Sequence, residues 1–370
     1  MKSFYHFRLC FISISLSFVL FLPGCAERPA PAAATLPFVE PTTESAMPFE
    51  PTQIDVTEPS ETAPTKAPAP QIDNRCDQFL PGKLCMNHTE YTLPAGIEEQ
   101  FIAVMNEGYY TYYDTAFYVL DLGTQMSFGY EADAYFSPAC TRKAGLALAW
   151  YKLLEKNRLD HRHIPPPPGQ RRYMLNDWYY YDGSDFLKGS GVVAYNGYGY
   201  YTIKDLLHYM IYTSDNTAYQ ALWNLLGIEN YIELENALGI PDFWEPARNN
   251  KLWTPMRPLD LGLIWQEIWA YKQTGSPEAE LFWHELTHNL FCEIGKVVQG
   301  ADEIAHKSGF DEYGYHDAGI VVRVENAYVV VAMSKRPLSI VNEDDDCIHH
   351  VIALIDVVMQ DYYAWLENQQ

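Results

Sequence analysis

Apolar residues come along this chain in three rhythms. From Leu9 to Leu22 they run almost unbroken; from Ala26 to about Ile72 they give way to Pro, Thr, Ala and Glu; beyond Asp73 they settle into regular periods. Ile97, Phe101, Val104 and Met105 share one helical face, and Gly108 is placed to end that helix. Thr115 to Leu122 and Gln125 to Tyr130 read as strands around a turn at Gly123-Thr124. Thr141 to about Lys156 reads as a helix, and a Tyr-rich irregular stretch follows to Tyr201. Ile203 to Tyr212, Thr217 to Leu226 and Leu259 to Tyr271 read as further helices. Gly319 to Val324 and Ala327 to Met333 form a second strand pair around Glu325-Asn326, and Ile348 to Leu366 closes the chain as an amphipathic helix. Strand pairs at both ends with helices between predict an α/β sandwich whose sheet joins the two chain ends.

The first rhythm has the form of a targeting segment. Lys2 and Arg8 precede an apolar run too short for a spanning helix, which ends Leu22-Pro23-Gly24-Cys25. That ending resembles the bacterial lipobox. The resemblance implies a signal peptide over residues 1–24, acylation of Cys25, and export to the extracytoplasmic face of the cell membrane. Residues 25–72 cannot bury enough apolar surface to offset their ordering entropy, so they are expected to form a disordered tether. Residues 73–370 are expected to form one domain, because no second Pro-rich linker interrupts them and Pro165-Pro166-Pro167-Pro168 reads as a stiff loop.

Charge narrows the function classes. The 370 residues carry a formal net charge of −23, with a pI near 4.7, which disfavours nucleic acid as a partner. Past the targeting segment and Cys25, five cysteines remain in a chain expected to be exported, where disulfides are permitted. Cys76 with Cys85 is compatible with a local bridge and Cys292 with Cys347 with a long-range one, the sequence alone not fixing the connectivity, and Cys140 is the natural candidate for the odd one out.

Three polar clusters interrupt the hydrophobic pattern. In Cys140-Thr141-Arg142-Lys143, a thiol at a helix start feels the positive end of the helix dipole, and a lysine three residues on shares its face. Both favour the thiolate. A small buried hydrophobe is the alternative. Ser214-Asp215-Asn216 combines a hydroxyl able to relay protons with an amide able to pair with an amide substrate; helix capping accounts for the same triplet. His306-Lys307-Ser308-Gly309 reads as an anion and amide clamp or as a solvated strand end.

In that order the three clusters resemble the S-x-x-K, S-D-N and K-[TS]-G signatures of the class A β-lactamase and penicillin-recognising family. Trp244-Glu245-Pro246-Ala247-Arg248-Asn249 is similar to its omega-loop E-x-x-x-N, and the likeness spans most of Tyr110 to Met333. The resemblance implies a β-lactamase-like α/β sandwich, with helices flanking an antiparallel sheet and an all-helical subdomain. It also implies roles: Cys140 as nucleophile, Lys143 as base or proton shuttle, Ser214 as the hydroxyl passing a proton to the leaving nitrogen, and Glu245 as the activator of the deacylating water. Asn216 would contact the substrate amide and Asn249 would help hold the water. Lys307 and Ser308 would recognise the substrate carboxylate beside Gly309, and the N–H groups of Cys140 and Phe310 would form the oxyanion hole. No metal or cofactor is implied. The implied partner is a β-lactam or a peptidoglycan peptide met by a monomer whose only membrane contact is the N-terminal lipid; β-lactam catabolism and antibiotic resistance are the implied roles.

Three departures qualify this. Cysteine stands where the family has serine. No arginine precedes Arg323 after Gly309; the local sequence is His316-Asp317-Ala318-Gly319. An aromatic insert spans Tyr173 to Tyr201, including Trp178-Tyr179-Tyr180-Tyr181. Sequence reasoning therefore carries an acyl hydrolase working through Cys140, with a binding-only relative and a cell-wall transpeptidase or carboxypeptidase as alternatives.

Overall fold

The strand pairs from the two ends of the folded region do meet in one sheet. A computed structural model describes residues 84–87, 90–106, 114–160, 171–241, 254–336 and 347–369, all within Ala69–Gln370, the second of two units into which the chain divides. Cys25, Cys76, Glu245, Asn249 and the four-proline run lie outside the described residues.

The strands are β1 (Cys85–Met86), β2 (Thr115–Asp121), β3 (Ser127–Tyr130), β4 (Trp178–Tyr181), β5 (Gly199–Thr202), β6 (Glu303–Phe310), β7 (Tyr315–Arg323) and β8 (Asn326–Ser334). The helices are α1 (Ile97–Asn106), α2 (Lys143–Asp160), α3 (Val193–Asn196), α4 (Ile203–Tyr212), α5 (Asn216–Leu226), α6 (Ile228–Ala237), α7 (Pro258–Lys272), α8 (Pro277–Thr287), α9 (Ile294–Val297) and α10 (Cys347–Glu367). Six strands form one antiparallel sheet in the order β1-β3-β2-β8-β7-β6. Its seam is β2 against β8, with Thr115 opposite Ser334 and Asp121 opposite Tyr328.

Each face of the sheet has its own core. Phe117, Val119, Val330 and Ala332 pack with Phe101 of α1 and with Val351, Ile355 and Met359 of α10. The alternate residues Ala116, Tyr118, Val329 and Val331 pack toward the helical half, with α2, α4, α5, α7 and α8. This is the period-two alternation of a sheet buried on both sides. α2 is buried at every position from Lys143 to Tyr151, which makes it the central helix of that half.

Local chemistry sets the helix starts near the site. Thr202 and Asp205 form a capping box for α4, and Asp215 caps α5 through the Ala218 N–H.

Three expectations need correction. The Tyr-rich stretch is not irregular throughout: Trp178–Tyr181 pairs with Gly199–Thr202 as a two-stranded hairpin. Tyrosine suits either face of a sheet, so no apolar–polar alternation marks these strands. His306–Gly309 is not a solvated strand end; it lies inside the buried strand β6, and β7 already begins at Tyr315. Cys292 is a free thiol, so the long-range bridge is not formed; its sulfur instead accepts from the Gly295 N–H at 3.1 Å. Cys85 is disulfide-bonded, and its expected partner Cys76 lies outside the described residues. No helix among the described residues is long and apolar enough to cross a membrane.

Candidate active site

The site begins in a tight 3-10 turn, Ala139–Arg142, that feeds into α2. Ala139 has φ +44°, a conformation costly for a residue with a Cβ, so the turn is held by its surroundings. Cys140 is half-buried and carries a free thiol. Lys143, the first residue of α2, is fully buried and lies over the ring of Tyr219, 5.6 Å from its centroid.

Lysine Nζ has four neighbours here: Ser214 O at 2.6 Å, Asn216 Oδ1 at 2.6 Å, Cys140 Sγ at 3.3 Å and Ser214 Oγ at 3.3 Å. The first two only accept, and the Asn216 amide is oriented by its Nδ2 donating to Lys188 O at 3.0 Å. Two Nζ hydrogens are thereby committed. The third tetrahedral position, proton or lone pair, faces the sulfur and the serine hydroxyl. A proton can pass between Nζ and Sγ without breaking any other bond, which is the geometry a proton shuttle needs.

Electrostatics match. Burial opposes the Cys140 thiolate, but the Lys143 and Lys307 ammoniums and hydrogen bonds with Ser214 and Lys143 outweigh it, holding the thiol below its ordinary value. Burial also holds Lys143 below the usual lysine range, with Cys140 pulling the other way. Lys307 is brought down to about 8, again by burial first.

Ser214 occupies the turn between α4 and α5 with φ +56°. Its carbonyl accepts from Ser190 Oγ at 2.6 Å as well as from Lys143. Asp215 is fully buried and gathers three backbone donors: Ala218 N–H at 2.8 Å, Val192 N–H at 2.5 Å and Val193 N–H at 2.7 Å. The segment Gly189-Ser190-Gly191 is thus strapped onto the triplet. Gly189 and Gly191 have φ of +129° and +125°, and a Cβ on either would lie 2.2 Å from the side chains of Asn216 and Asp215 respectively.

β6 supplies the third wall and is an edge of the sheet. Gly309 packs so closely on the start of the turn that a Cβ there would lie 2.7 Å from both the Cys140 and Thr141 backbone nitrogens. This contact brings the strand, with Phe310 next along it, beside the amide of Cys140. Lys307 is buried, and Nζ donates to Ser308 O at 3.0 Å. The Ser308 hydroxyl donates to Phe291 O at 3.0 Å, so reaching a substrate would require it to leave that bond.

Of the residues singled out from sequence, the structure brings Cys140, Lys143, Ser214 and Asn216 into one hydrogen-bonded group, with Lys307, Gly309 and Phe310 along its edge. Glu245 and Asn249 lie outside the described residues. Where an arginine was missed, His316 is no replacement cation. Burial lowers it to about 4; Nε2 bonds Ser137 O at 2.8 Å, and Ser334 N–H donates to Nδ1 at 3.1 Å. Those two partners fix a neutral ring protonated at Nε2. Sequence reasoning also missed Arg142. Its guanidinium is buried against Glu235 at 2.8 Å, 5.0 Å from the ring centroid of Tyr231, and it donates to Thr254 O at 3.1 Å. Its position before Lys143 marked it only as a helix residue.

Fold and site together define an α/β protein with a thiol–lysine pair at the start of its central helix, held between an interhelical turn and an edge strand. The chain belongs to the beta-lactamase enzyme family, which matches residues 97–355. A point mutant of PBP-A, solved as an acyl-enzyme complex with penicillin G, is similar with a TM-score of 0.58 at 19% identity, covering 72% of this chain and 96% of that one. A beta-lactamase from Sphaerobacter thermophilus gives 0.57 at 20%, over 72% and 96%. A variant of the last common ancestor of Gram-negative bacteria class A beta-lactamase gives 0.56 at 21%, over 70% and 96%. These likenesses show the fold. No curated protein matches the chain.

Proposed function

We propose that this protein is a class A β-lactamase-like hydrolase that opens β-lactam or related amide bonds through an acyl-enzyme on Cys140. The observation that carries this reading is the Cys140 Sγ to Lys143 Nζ contact of 3.3 Å, in a pocket whose other groups suit amide chemistry. Sγ, having passed its proton to Nζ, attacks the lactam carbonyl carbon, and the oxygen takes negative charge beside the Cys140 and Phe310 amides. The C–N bond breaks as the proton moves from Nζ through Ser214 Oγ, 3.3 Å away, to the leaving nitrogen. A thioester remains. Water, deprotonated by Glu245 with Asn249 helping to hold it, releases the acid and restores the thiol. Asn216 pairs with the substrate amide, and Lys307 and Ser308 take its carboxylate.

A chromogenic cephalosporin tests this, with intact-mass analysis for an adduct on Cys140. Turnover, or an adduct that Cys140→Ala abolishes, is the expected result; neither turnover nor adduct in the wild type overturns it. Ligand affinity that survives Cys140→Ala with no adduct forming would instead indicate a binding module. The PBP-A point mutant solved with penicillin G as an acyl-enzyme supports a β-lactam as the probe.

We also propose that residues 1–24 are a signal peptide, that Cys25 carries the lipid, and that residues 25–72 tether the monomeric domain outside the cell membrane. Fatty-acid labelling that Cys25→Ala removes is the expected outcome; labelling unchanged by that substitution rejects it.

A further inference from the structure

A second polar cluster lies across β6 from the Lys307 side chain. Successive side chains of a strand point to opposite faces, so His306, next to Lys307, faces away from it. On that side His306 meets Asp317 of β7 and Cys292 of the segment between α8 and α9. One ligand atom from each, thiol, imidazole and carboxylate, lies within 4.8 Å of the other two. His306 and Asp317 are buried and Cys292 is half-exposed.

His306 and Asp317 form a buried ion pair: burial lowers the imidazole, but Asp317 and Cys292 outweigh it and hold His306 at about 9, so a cation bound here would take the place of its proton. His306 Nδ1 and Asp317 Oδ1 are 3.4 Å apart, longer than a well-formed N–H···O bond of about 2.9 Å. Two ligands of one tetrahedral zinc ion, held at about 2.0–2.1 Å from it, are about 3.3–3.4 Å apart. The sulfur has to close by at most about 1.3 Å to complete the other two edges, which are about 3.5–3.6 Å for a bond of about 2.3 Å. The supporting bonds are already present. Asp317 Oδ2 accepts from the Glu293 and Ile294 N–H groups at 2.9 and 3.0 Å, and Oδ1 from the Ala318 N–H at 2.9 Å. Cys292 Sγ accepts from Gly295 N–H at 3.1 Å, and Asn289 Nδ2 donates to His306 O at 2.7 Å. Such outer bonds orient metal ligands. The neighbouring carboxylate of Glu293 is taken by Lys296 at 2.6 Å and His349 at 2.7 Å, which leaves three protein ligands.

We propose that Cys292, His306 and Asp317 form a binding site for a zinc-class divalent cation, separate from the Cys140 chemistry. Thiolate and imidazole select zinc over magnesium or calcium, whose sites are built from oxygen. The site is independent of whether Cys140 turns over any substrate.

The full-length protein, loaded with Zn2+ and dialysed against metal-free buffer, should retain one equivalent per chain by elemental analysis. Co2+ in its place should give a thiolate-to-metal charge-transfer band. Both signals persist in Cys140→Ser and are lost in Cys292→Ser, with affinity falling at least about 100-fold. In the unmodified protein Zn2+ should slow alkylation of Cys292 and leave Cys140 unprotected, a readout that needs no variant to fold. No retained metal, retention unchanged in Cys292→Ser, or protection of Cys140 in place of Cys292 overturns the proposal.

Discussion

Cys140 and Cys292 are both free, half-buried thiols beside a basic side chain, yet their surroundings differ in sign. Around Cys140 stand two ammoniums, Lys143 and Lys307, and neutral acceptors already engaged by Lys143. A negative sulfur, and a negative oxygen developing near it, are favoured there. Around Cys292 one imidazole is matched by the buried carboxylate of Asp317, so no net positive field favours a negative sulfur there. One sheet edge thus presents two sulfur sites. What separates them is the carboxylate and not the thiol.

The comparison is most easily broken at Lys143. Lys143→Ala removes the shuttle, and the acylation rate with a cephalosporin should fall by about 100- to 10,000-fold, while alkylation of Cys292 stays as it was. A fall that affects both thiols alike would mean the substitution acts through the fold.

Asp215→Ala should have the next largest effect. Three backbone N–H groups lose their buried acceptor, and each is worth about 1–3 kcal/mol when left unmade. A drop of about 3–5 kcal/mol in denaturant unfolding is expected, together with loss of Ser214 placement. Gly309→Ala forces β6 away from the Cys140 amide and should cost about 1–3 kcal/mol, with acylation affected more than metal retention.

The pH profile sharpens the contrast without any loss of fold. An unperturbed thiol titrates near 9.0, and Cys140 is lowered from that value. Its reactive thiolate therefore persists at lower pH, so the midpoint of its iodoacetamide reaction should lie below 9.0. Lys143→Ala should move that midpoint up. Lys335→Ala, by contrast, removes an exposed pair with Asp114 and a cation 5.4 Å from the Phe136 ring centroid, and should change stability by about 1 kcal/mol or less.

Much of this was legible in the sequence because the chemistry is local. Cys140 and Lys143 are one helical turn apart, so the chain alone places them together, and Ser214-Asp215-Asn216 needs only a turn between two amphipathic helices. β6 was hidden because His306-Lys307-Ser308 puts polar residues in the middle of a buried strand, where the alternation that marks a strand is lost. The hairpin of Trp178–Tyr181 with Gly199–Thr202 was hidden because its pairing partner follows a loop containing α3. The strapping of Val192 and Val193 onto Asp215, and the meeting of Cys292, His306 and Asp317, depend on tertiary contacts that no local period encodes.

The β2–β8 seam has a consequence for synthesis. Thr115 leaves the ribosome early, whereas its cross-strand neighbour Ser334 emerges near the end. Until β8 arrives, β2 presents a bare hydrogen-bonding edge and the hydrophobic layers on both sides of the sheet lack their middle strand. Neither hydrophobic layer can therefore close over the sheet until β8 has been made.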